Sequence, residues 1–345
     1  MRIGVLFMPA DPPSGAAIAR RWQEVMESAQ VAEASGFDGI FLPEHHFMPS
    51  GFCSSPLIAL TAIAARTQTL RLGTSVLVLP CYHPLKLAED AAQLDLLSGG
   101  RLILGVGMGA NDKEAAGFGV ARNDLVSRYE ESFDVLRHAL SHEQFSFSGK
   151  QFNFENVRVT PRPLQQPPPL WMGGMSVPGA RRAGRLGAPW MTSLLPTIQV
   201  LRYLYGVYGA ECRAHGHTPR VVLIRDAWIA DDPARLASDW WEVARKEYGT
   251  YVKAVPDWMT GIDAPLGRWK AGEKFTFEDY RRDRLIAGSP AEAIAALKYF
   301  AAALPVEYVI LRFRLVGGPS HQATLECLRK FGSQVLPALA AERIP

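Results

Sequence analysis

The sequence predicts an α/β protein: a closed (β/α)8 TIM barrel with insertions after strands four and seven. Eight short runs of β-type residues alternate with longer stretches of helical periodicity along the 345 residues. Most of these runs are apolar throughout, as parallel strands buried on both faces require. Eight alternating units favour a closed barrel over an open doubly wound sheet, which is the alternative.

Each predicted element has its own signal in the sequence. Gly36 follows the first helical stretch as a C-terminal cap does, and Pro56 and Pro84 suit the first turns of two later helices. The predicted strands are Ile3–Met8, Asp38–Leu42, Leu70–Leu79, Arg101–Val106, Pro169–Met172, Trp190–Leu194, Val221–Ala230 and Tyr308–Phe313. The predicted helices are Ala19–Ser35, Pro56–Arg66, Pro84–Leu97, Asp124–Leu140, Pro178–Leu186, Thr197–Ala214, Ala234–Tyr251, Pro290–Ala303 and Gln322–Leu339.

Two stretches interrupt the alternation. Residues 145–169 show strand alternation around Ser148-Gly149 and then a run of prolines, which predicts a hairpin insertion. Residues 253–285 are irregular and contain aromatic residues and glycines, as in a lid that closes over a site. Because the βα pattern resumes after each stretch, we expect one domain over residues 1–345, with insertions at about 145–169 and 253–285.

Composition excludes several classes of protein. A hydrophobic content of 48% with 21% charged residues is typical of a folded chain with a large core. A net charge of +3 is too small for a nucleic-acid-binding surface, and no apolar run is long enough to span a membrane. The four cysteines form no CxxC pair, so we expect no disulfide framework and a reducing, cytoplasmic location.

The loop after strand two carries Glu44, His45, His46 and Phe47. Reactive groups of barrels lie on loops at the carboxyl ends of strands, and imidazole is the usual general base near neutral pH. Adjacent histidines point to opposite sides of an extended segment, so one can face a pocket while Glu44 orients it. The alternative is a histidine at a strand end whose hydrogen bonds are satisfied by the backbone.

Two further loops are rich in glycine. Gly105, Gly107 and Gly109 follow strand four, where the chain can approach a flat ligand closely; a packing role is the alternative. The run Gly173-Gly174-Met175-Ser176 follows strand five and begins a helix, whose free N–H groups suit a phosphate. The alternative for Ser176 is an ordinary helix N-cap.

Together these runs resemble the bacterial luciferase-like family of flavin-dependent monooxygenases. The similarity is densest from Pro43 to Gly119, including EHHF at Glu44–Phe47 and HPLKLAEDAAQLDLLSGGRL at His83–Leu102. It extends over nearly the whole chain, and residues 253–285 match least.

The resemblance implies roles for particular residues. His45 corresponds to the histidine that luciferases use as a base, with Glu44 beside it, and Ser75-Val76 to a cis peptide bond under the flavin ring. The implied flavin-binding residues are Ser75, Gly107, Met108, Arg128, Gly174, Met175, Ser176 and Gly179. Luciferase itself has a cysteine and an arginine where this chain has Gly107 and Met108. We therefore expect open space beside Gly107 and no light emission.

The resulting prediction is an FMN-dependent monooxygenase of a two-component system. It would use O2 and reduced FMN from a separate flavin reductase to oxygenate a small organic substrate, and the resemblance implies a homodimer. The alternatives are a deazaflavin-dependent oxidoreductase and a non-catalytic flavin-binding subunit. A metal-dependent hydrolase built on His215 and His217 is a further alternative, although we expect no metal, nucleic-acid or membrane site.

Overall fold

The fold is a closed barrel of parallel strands surrounded by helices, in a computed structural model that describes residues 1–10, 15–109, 111–230 and 232–341. The strands are β1 Arg2–Leu6, β2 Gly39–Leu42, β3 Arg71–Thr74, β4 Leu77–Val78, β5 Leu102–Gly107, β6 Phe145–Ser148, β7 Asn153–Val157, β8 Leu170–Gly173, β9 Trp190–Met191, β10 Val221–Ile229, β11 Leu285–Gly288 and β12 Val306–Arg312. The helices are α1 Gly15–Ala34, α2 Pro56–Ala64, α3 Pro84–Leu97, α4 Asp112–Gly117, α5 Leu125–Ser141, α6 Val177–Arg185, α7 Ile198–Ala214, α8 Pro233–Leu236, α9 Glu242–Tyr251, α10 Asp257–Ile262, α11 Ala264–Lys270, α12 Phe277–Arg284, α13 Pro290–Ala303, α14 His321–Gln334 and α15 Leu336–Ala341.

Eight of the strands form the barrel wall. β1, β2, β3, β5, β8, β9, β10 and β12 pair in this order, all parallel, and β12 pairs with β1. The predicted (β/α)8 barrel is therefore confirmed. Closure brings the loops after all eight strands to one end, which we call the barrel mouth.

Side chains fill both sides of the wall. Outside it, strands and helices share a large apolar core. The interior is filled by alternate strand residues, namely Leu6, Phe41, Ile103, Trp171, Met191, Val222, Ile224, Tyr308 and Ile310. Met8, Val76 and Leu194 pack against this inner core and are only partly buried. In the part of the chain that the structure describes, the barrel interior is therefore packed, and a ligand at the mouth would lie on top of this filling.

Three elements differ from the sequence prediction. The predicted strand Leu70–Leu79 is interrupted by a cis peptide bond at Ser75-Val76 and continues as β4. The expected irregular stretch 253–285 contains α10, α11 and α12, and ends in β11, a strand that pairs with the far end of β10. The final predicted helix is divided between α14 and α15 at Val335.

The predicted hairpin is present as β6 and β7, and its turn is attached to α5. The carboxylate of Glu131 accepts hydrogen bonds from the backbone N–H groups of Lys150, Gln151 and Phe152 at 2.8–3.1 Å. One acidic side chain therefore holds the hairpin turn by three backbone donors.

Residues 242–284, which we call the cover segment, are bound to the barrel by a buried polar network. The carboxylate of Asp226 on β10 accepts hydrogen bonds from Arg312 Nε (2.6 Å) on β12, from the hydroxyl of Tyr248 (2.6 Å) and from that of Tyr280 (2.5 Å). The side chains of Asp226 and Arg312 are fully buried. Because Tyr248 lies on α9 and Tyr280 on α12, both ends of the cover segment are attached to the barrel wall.

The helices of the described residues include none with the length and hydrophobicity that a membrane span requires.

Candidate active site

The two histidines after β2 lie in different environments. The side chain of His45 is 34% exposed, whereas that of His46 is 9% exposed. His45 Nδ1 lies 3.0 Å from Oε1 of Glu114 on α4, and its ring packs edge-on against Phe52. His45 is therefore the histidine that solvent or a substrate can reach.

Glu44 binds the other histidine. Its buried carboxylate lies 3.0 Å from His46 Nε2 and accepts hydrogen bonds from the backbone N–H of Val78 (2.5 Å) and from the hydroxyl of Tyr82. Burial, and then the charge of Glu44, raises the pKa of Tyr82, which keeps this hydroxyl protonated as a donor. This corrects the expectation that Glu44 orients His45, because the carboxylate that contacts His45 is Glu114. Glu44 instead connects the loop after β2 to β4 and the segment that follows it.

The predicted cis peptide bond is present at Ser75-Val76. A Cβ atom placed on Gly107 would lie 2.6 Å from Cγ2 of Val76, and one placed on Gly173 would lie 3.0 Å from Cγ1 of the same residue. Val76 therefore brings the loops after β3, β5 and β8 together. The expected open space beside Gly107 is wrong, because the side chain of Val76 occupies it.

The surface around Val76 is only partly covered. Ser75, Val76, Met108, Gly174 and Met175 are all half-buried, in contrast to the fully buried strands beneath them. Two of these residues are methionines, whose flexible side chains adapt to flat ligands. The mouth therefore offers a mostly apolar, accessible surface at the junction of three loops.

The loop after β8 leads into α6 with a side-chain cap. Ser176 Oγ accepts a hydrogen bond from Gly179 N at 3.1 Å, so the N-cap interpretation of Ser176 is confirmed. A Cβ on Gly174 would lie 3.2 Å from the backbone of Gly179, which explains the glycine at that position. Pro178 has no N–H and Gly179 N is bound by Ser176, so Val177 supplies the remaining N–H of the first turn, at the helix end that favours an anion.

Arg128 on α5 faces the segment that follows β4. Its Nε donates to the carbonyl of Pro80 at 2.8 Å and its Nη2 to that of Tyr82 at 3.4 Å, while Phe152 of the hairpin turn stacks on the guanidinium. Between these two carbonyls, burial and then the carboxylates of Glu44 and Glu114 raise the pKa of Cys81 to about 12. That thiol therefore stays protonated. Arg128 places a cation beside this segment.

A sequence model for one protein family matches most of the chain. The model is described as luciferase-like monooxygenase and matches residues 1–307. The chain belongs to the luciferase-like monooxygenase family. The resemblance predicted from the loop motifs is thus confirmed, and the family is one of oxidoreductases that include flavin-dependent monooxygenases.

Similar proteins of known name include both flavin-dependent and F420-dependent enzymes. The chain is 27% identical over 332 residues to the oxygenase component of a flavin-dependent trigonelline monooxygenase from Acinetobacter baylyi, covering 94% of this chain and 91% of that protein. It is 24% identical to an F420-dependent glucose-6-phosphate dehydrogenase from Nakamurella multipartita, covering 92% and 93%. An uncharacterized protein of Sinorhizobium fredii is 38% identical over 175 residues, and there the match covers 50% of this chain and only 51% of the relative.

The fold is shared with solved structures of low sequence identity. The oxygenating constituent of 3,6-diketocamphane monooxygenase from Pseudomonas putida, solved with FMN, superposes with a TM-score of 0.80 at 20% identity, covering 98% of both chains. The F420-dependent tetrahydromethanopterin reductase of Methanopyrus kandleri superposes with a TM-score of 0.76 at 18% identity, covering 98% and 99%. Both comparisons support the barrel architecture of this luciferase-like chain.

Sequence reasoning missed Glu114, the carboxylate that binds the accessible histidine. Asn111 caps α4 by accepting a hydrogen bond from Lys113 N, and an asparagine followed three residues later by a glutamate is a helix-start signal. That signal could have located the short helix α4. It could not have paired Glu114 with a histidine 69 residues earlier in the chain.

The described residues also contain no group of three or more His, Cys, Asp or Glu side chains that could hold a metal ion.

Proposed function

We propose that this chain is the oxygenase component of a two-component, FMN-dependent monooxygenase that oxygenates a small organic substrate with O2. The observation that carries the proposal is the packing of Val76 against Gly107 and Gly173 at the barrel mouth, where the loop after β2 also presents a partly exposed histidine held by a carboxylate. The similarity to the trigonelline monooxygenase component, over nearly the full length of both chains, supports the same assignment.

The residues at the mouth fit a flat ring system with an anionic tail. Ser75 and Met108 would hold the isoalloxazine ring of FMN, because they are half-buried on a mostly apolar surface, and the buried Gly107 would leave room for the Val76 side chain beneath the ring. The FMN phosphate would be held by Arg128 together with the start of α6, at Gly174, Met175, Ser176 and Gly179. When bound in its reduced form, FMN supplies the electrons with which O2 is activated.

The chain's own residues contribute proton transfer and shielding from water. His45 is the proposed base that accepts or returns a proton at Nε2, since Nδ1 is engaged by Glu114. Glu44 supports it indirectly by fixing the neighbouring His46 and Val78. The apolar side chains of Val76, Met108 and Met175 limit the water that reaches the reacting groups.

A deazaflavin is the second candidate cofactor. The F420-dependent dehydrogenase relative is matched over more than nine-tenths of both chains, so family membership alone does not choose between FMN and F420. With F420 the same surface would serve hydride transfer to or from an organic substrate, without O2. The separate reductase, the homodimer and the cytoplasmic location belong to the FMN proposal and are predictions with it.

Anaerobic titration with reduced and oxidised FMN, and in parallel with reduced and oxidised F420, tests the assignment. We expect reduced FMN to bind, and rapid mixing with O2 to re-oxidise it at a rate that differs from that of free FMN. Binding of F420 alone would support the second candidate. Failure of FMN to bind in either redox state would overturn the monooxygenase proposal.

A further inference from the structure

Glu114 is a fully buried carboxylate whose contacts converge on the histidine loop. Its Oε1 lies 3.0 Å from His45 Nδ1 and accepts a hydrogen bond from the backbone N–H of His46, also at 3.0 Å. The residue is 0% exposed and lies in the first turn of α4, in the loop after β5. Glu114 therefore holds the loop after β2 by both a side chain and a backbone donor.

These contacts determine which nitrogen of His45 carries the proton. An ionised carboxylate only accepts hydrogen bonds, and Oε1 already receives the N–H of His46. His45 Nδ1 must then be the donor, so the neutral ring is the Nδ1–H tautomer with a lone pair on Nε2. Free histidine in water prefers the opposite tautomer, and a hydrogen bond to one ring nitrogen is what reverses such a preference.

The second oxygen of Glu114 supports a role beyond packing. Oε2 is buried and has no hydrogen-bond partner among the described residues. A buried carboxylate oxygen without a donor costs stability, and an apolar side chain of similar size would avoid that cost. Glu114 is thus the carboxylate in contact with His45, whereas Glu44 contacts His46, and the raised pKa values of Cys81 and Tyr82 keep both side chains protonated.

We propose that Glu114 is the positioning residue that fixes His45 as the Nδ1–H tautomer and so makes Nε2 the proton acceptor of the reaction. The catalytic part of this inference rests on the proposed function. The tautomer itself does not, because it follows from contacts within the chain.

Nitrogen-15 NMR of histidine-labelled protein without cofactor tests the tautomer directly. The chain has eight histidines, and a His45→Gln variant identifies the His45 signals. We expect the Nδ1–H pattern in the wild type and in Glu114→Gln, whose amide oxygen can still accept. In Glu114→Leu we expect mostly the Nε2–H pattern. Glu44→Gln is the matched control, because Glu44 binds His46, and it should leave the His45 signals in the Nδ1–H pattern.

Turnover measurements then test the catalytic part. With an accepted substrate, Glu114→Leu should lower kcat about 10- to 100-fold, with FMN affinity and substrate KM within about twofold of wild type. The kcat of Glu114→Gln should lie between those of the wild type and Glu114→Leu. A wild-type His45 in the Nε2–H form, or a Glu114→Leu variant that keeps the Nδ1–H form, would overturn the inference. If FMN does not bind, the proposed function fails while the NMR result still decides the role of Glu114 in setting the tautomer.

Discussion

At the scale of single residues, the adjacent histidines 45 and 46 have separate tasks because each is bound by a different carboxylate. His45 is accessible and bound by Glu114, whereas His46 is buried and bound by Glu44. A reaction can use only the histidine that a substrate reaches. Replacing either one should therefore affect a different property of the protein.

We expect His45→Ala to lower kcat by about 10²-fold or more, the usual contribution of a general base, with FMN affinity retained. His46→Ala should instead lower the free energy of unfolding by about 1–3 kcal/mol, because Glu44 loses a buried hydrogen-bond partner. Steady-state turnover and urea unfolding of both variants measure the two effects. Unchanged turnover in His45→Ala would favour a non-catalytic flavin-binding subunit.

Gly107 shows how one residue limits the shape of the site. A methyl group at this position would lie 2.6 Å from Cγ2 of Val76, so Gly107→Ala should cost about 1–3 kcal/mol of stability through overpacking. Val76→Ala in the same chain removes the clashing methyl group. The double variant should be more stable than the sum of the single effects predicts, as measured by urea unfolding. Additive effects on the free energy of unfolding would mean that no steric conflict exists between positions 107 and 76.

At the scale of elements, the hairpin insertion is more than a surface appendage. Glu131 holds its turn by three backbone donors, and Phe152 from that turn stacks on Arg128 at 5.0 Å. The hairpin thereby helps to fix a residue that we assign to phosphate binding. Its sequence predicts two strands but gives no sign of this attachment.

Glu131→Ala should lower the free energy of unfolding by about 1–2 kcal/mol and weaken FMN binding by releasing Phe152 from Arg128. Glu143→Ala is the control, because Glu143 is exposed and forms one surface ion pair with Arg158, which contributes little. Urea unfolding, FMN titration and proteolysis within residues 148–153 report the difference. Equal protease resistance in the two variants would argue against the attachment.

At the scale of the whole molecule, the cover segment and the barrel behave as one packed unit around Asp226. Burial, and then the charge of Asp226, raises the pKa of Tyr280 well above its usual value, so the hydroxyl stays a donor at neutral pH. Arg284 adds a second attachment, with its Nε donating to the carbonyl of Leu195 at 2.6 Å. Both ends of the cover segment are therefore fixed to the barrel, and the predicted lid movement would be confined to the part between α9 and α12.

Asp226→Asn should destabilise the protein by about 3 kcal/mol, because Arg312 loses one of its two carboxylate partners and keeps only Glu247. Tyr280→Phe removes one neutral donor to Asp226 and the acceptor of the Trp240 Nε1–H, and should cost about 1–2 kcal/mol. Urea unfolding measures both variants, and hydrogen exchange of residues 242–284 shows whether the cover segment loosens first. Similar stabilities for the two variants would contradict a charge-centred network.

Much of the fold and part of the site could be predicted from the sequence. Eight strands, the hairpin, the cis peptide bond at Ser75-Val76 and the N-cap at Ser176 agree with the structure. The strands, the hairpin and the N-cap depend on residues that are close in the chain, through periodicity and turn residues, whereas the cis peptide bond is implied by the resemblance to the luciferase-like family. The strand β11 was missed because Leu285–Gly288 is short and follows a kinked helix.

The sequence by itself determined that this protein is a barrel of luciferase-like type with histidines and glycines at its mouth. The alternation of strands and helices and the loop motifs depend only on residues that are close in the sequence. Only the tertiary structure decided that Glu114 binds His45, that Glu44 binds His46 and that Val76 fills the space beside Gly107. These partners are separated by loops and strands, and which side chains meet depends on how barrel closure orients each loop. Periodicity contains no information about that orientation.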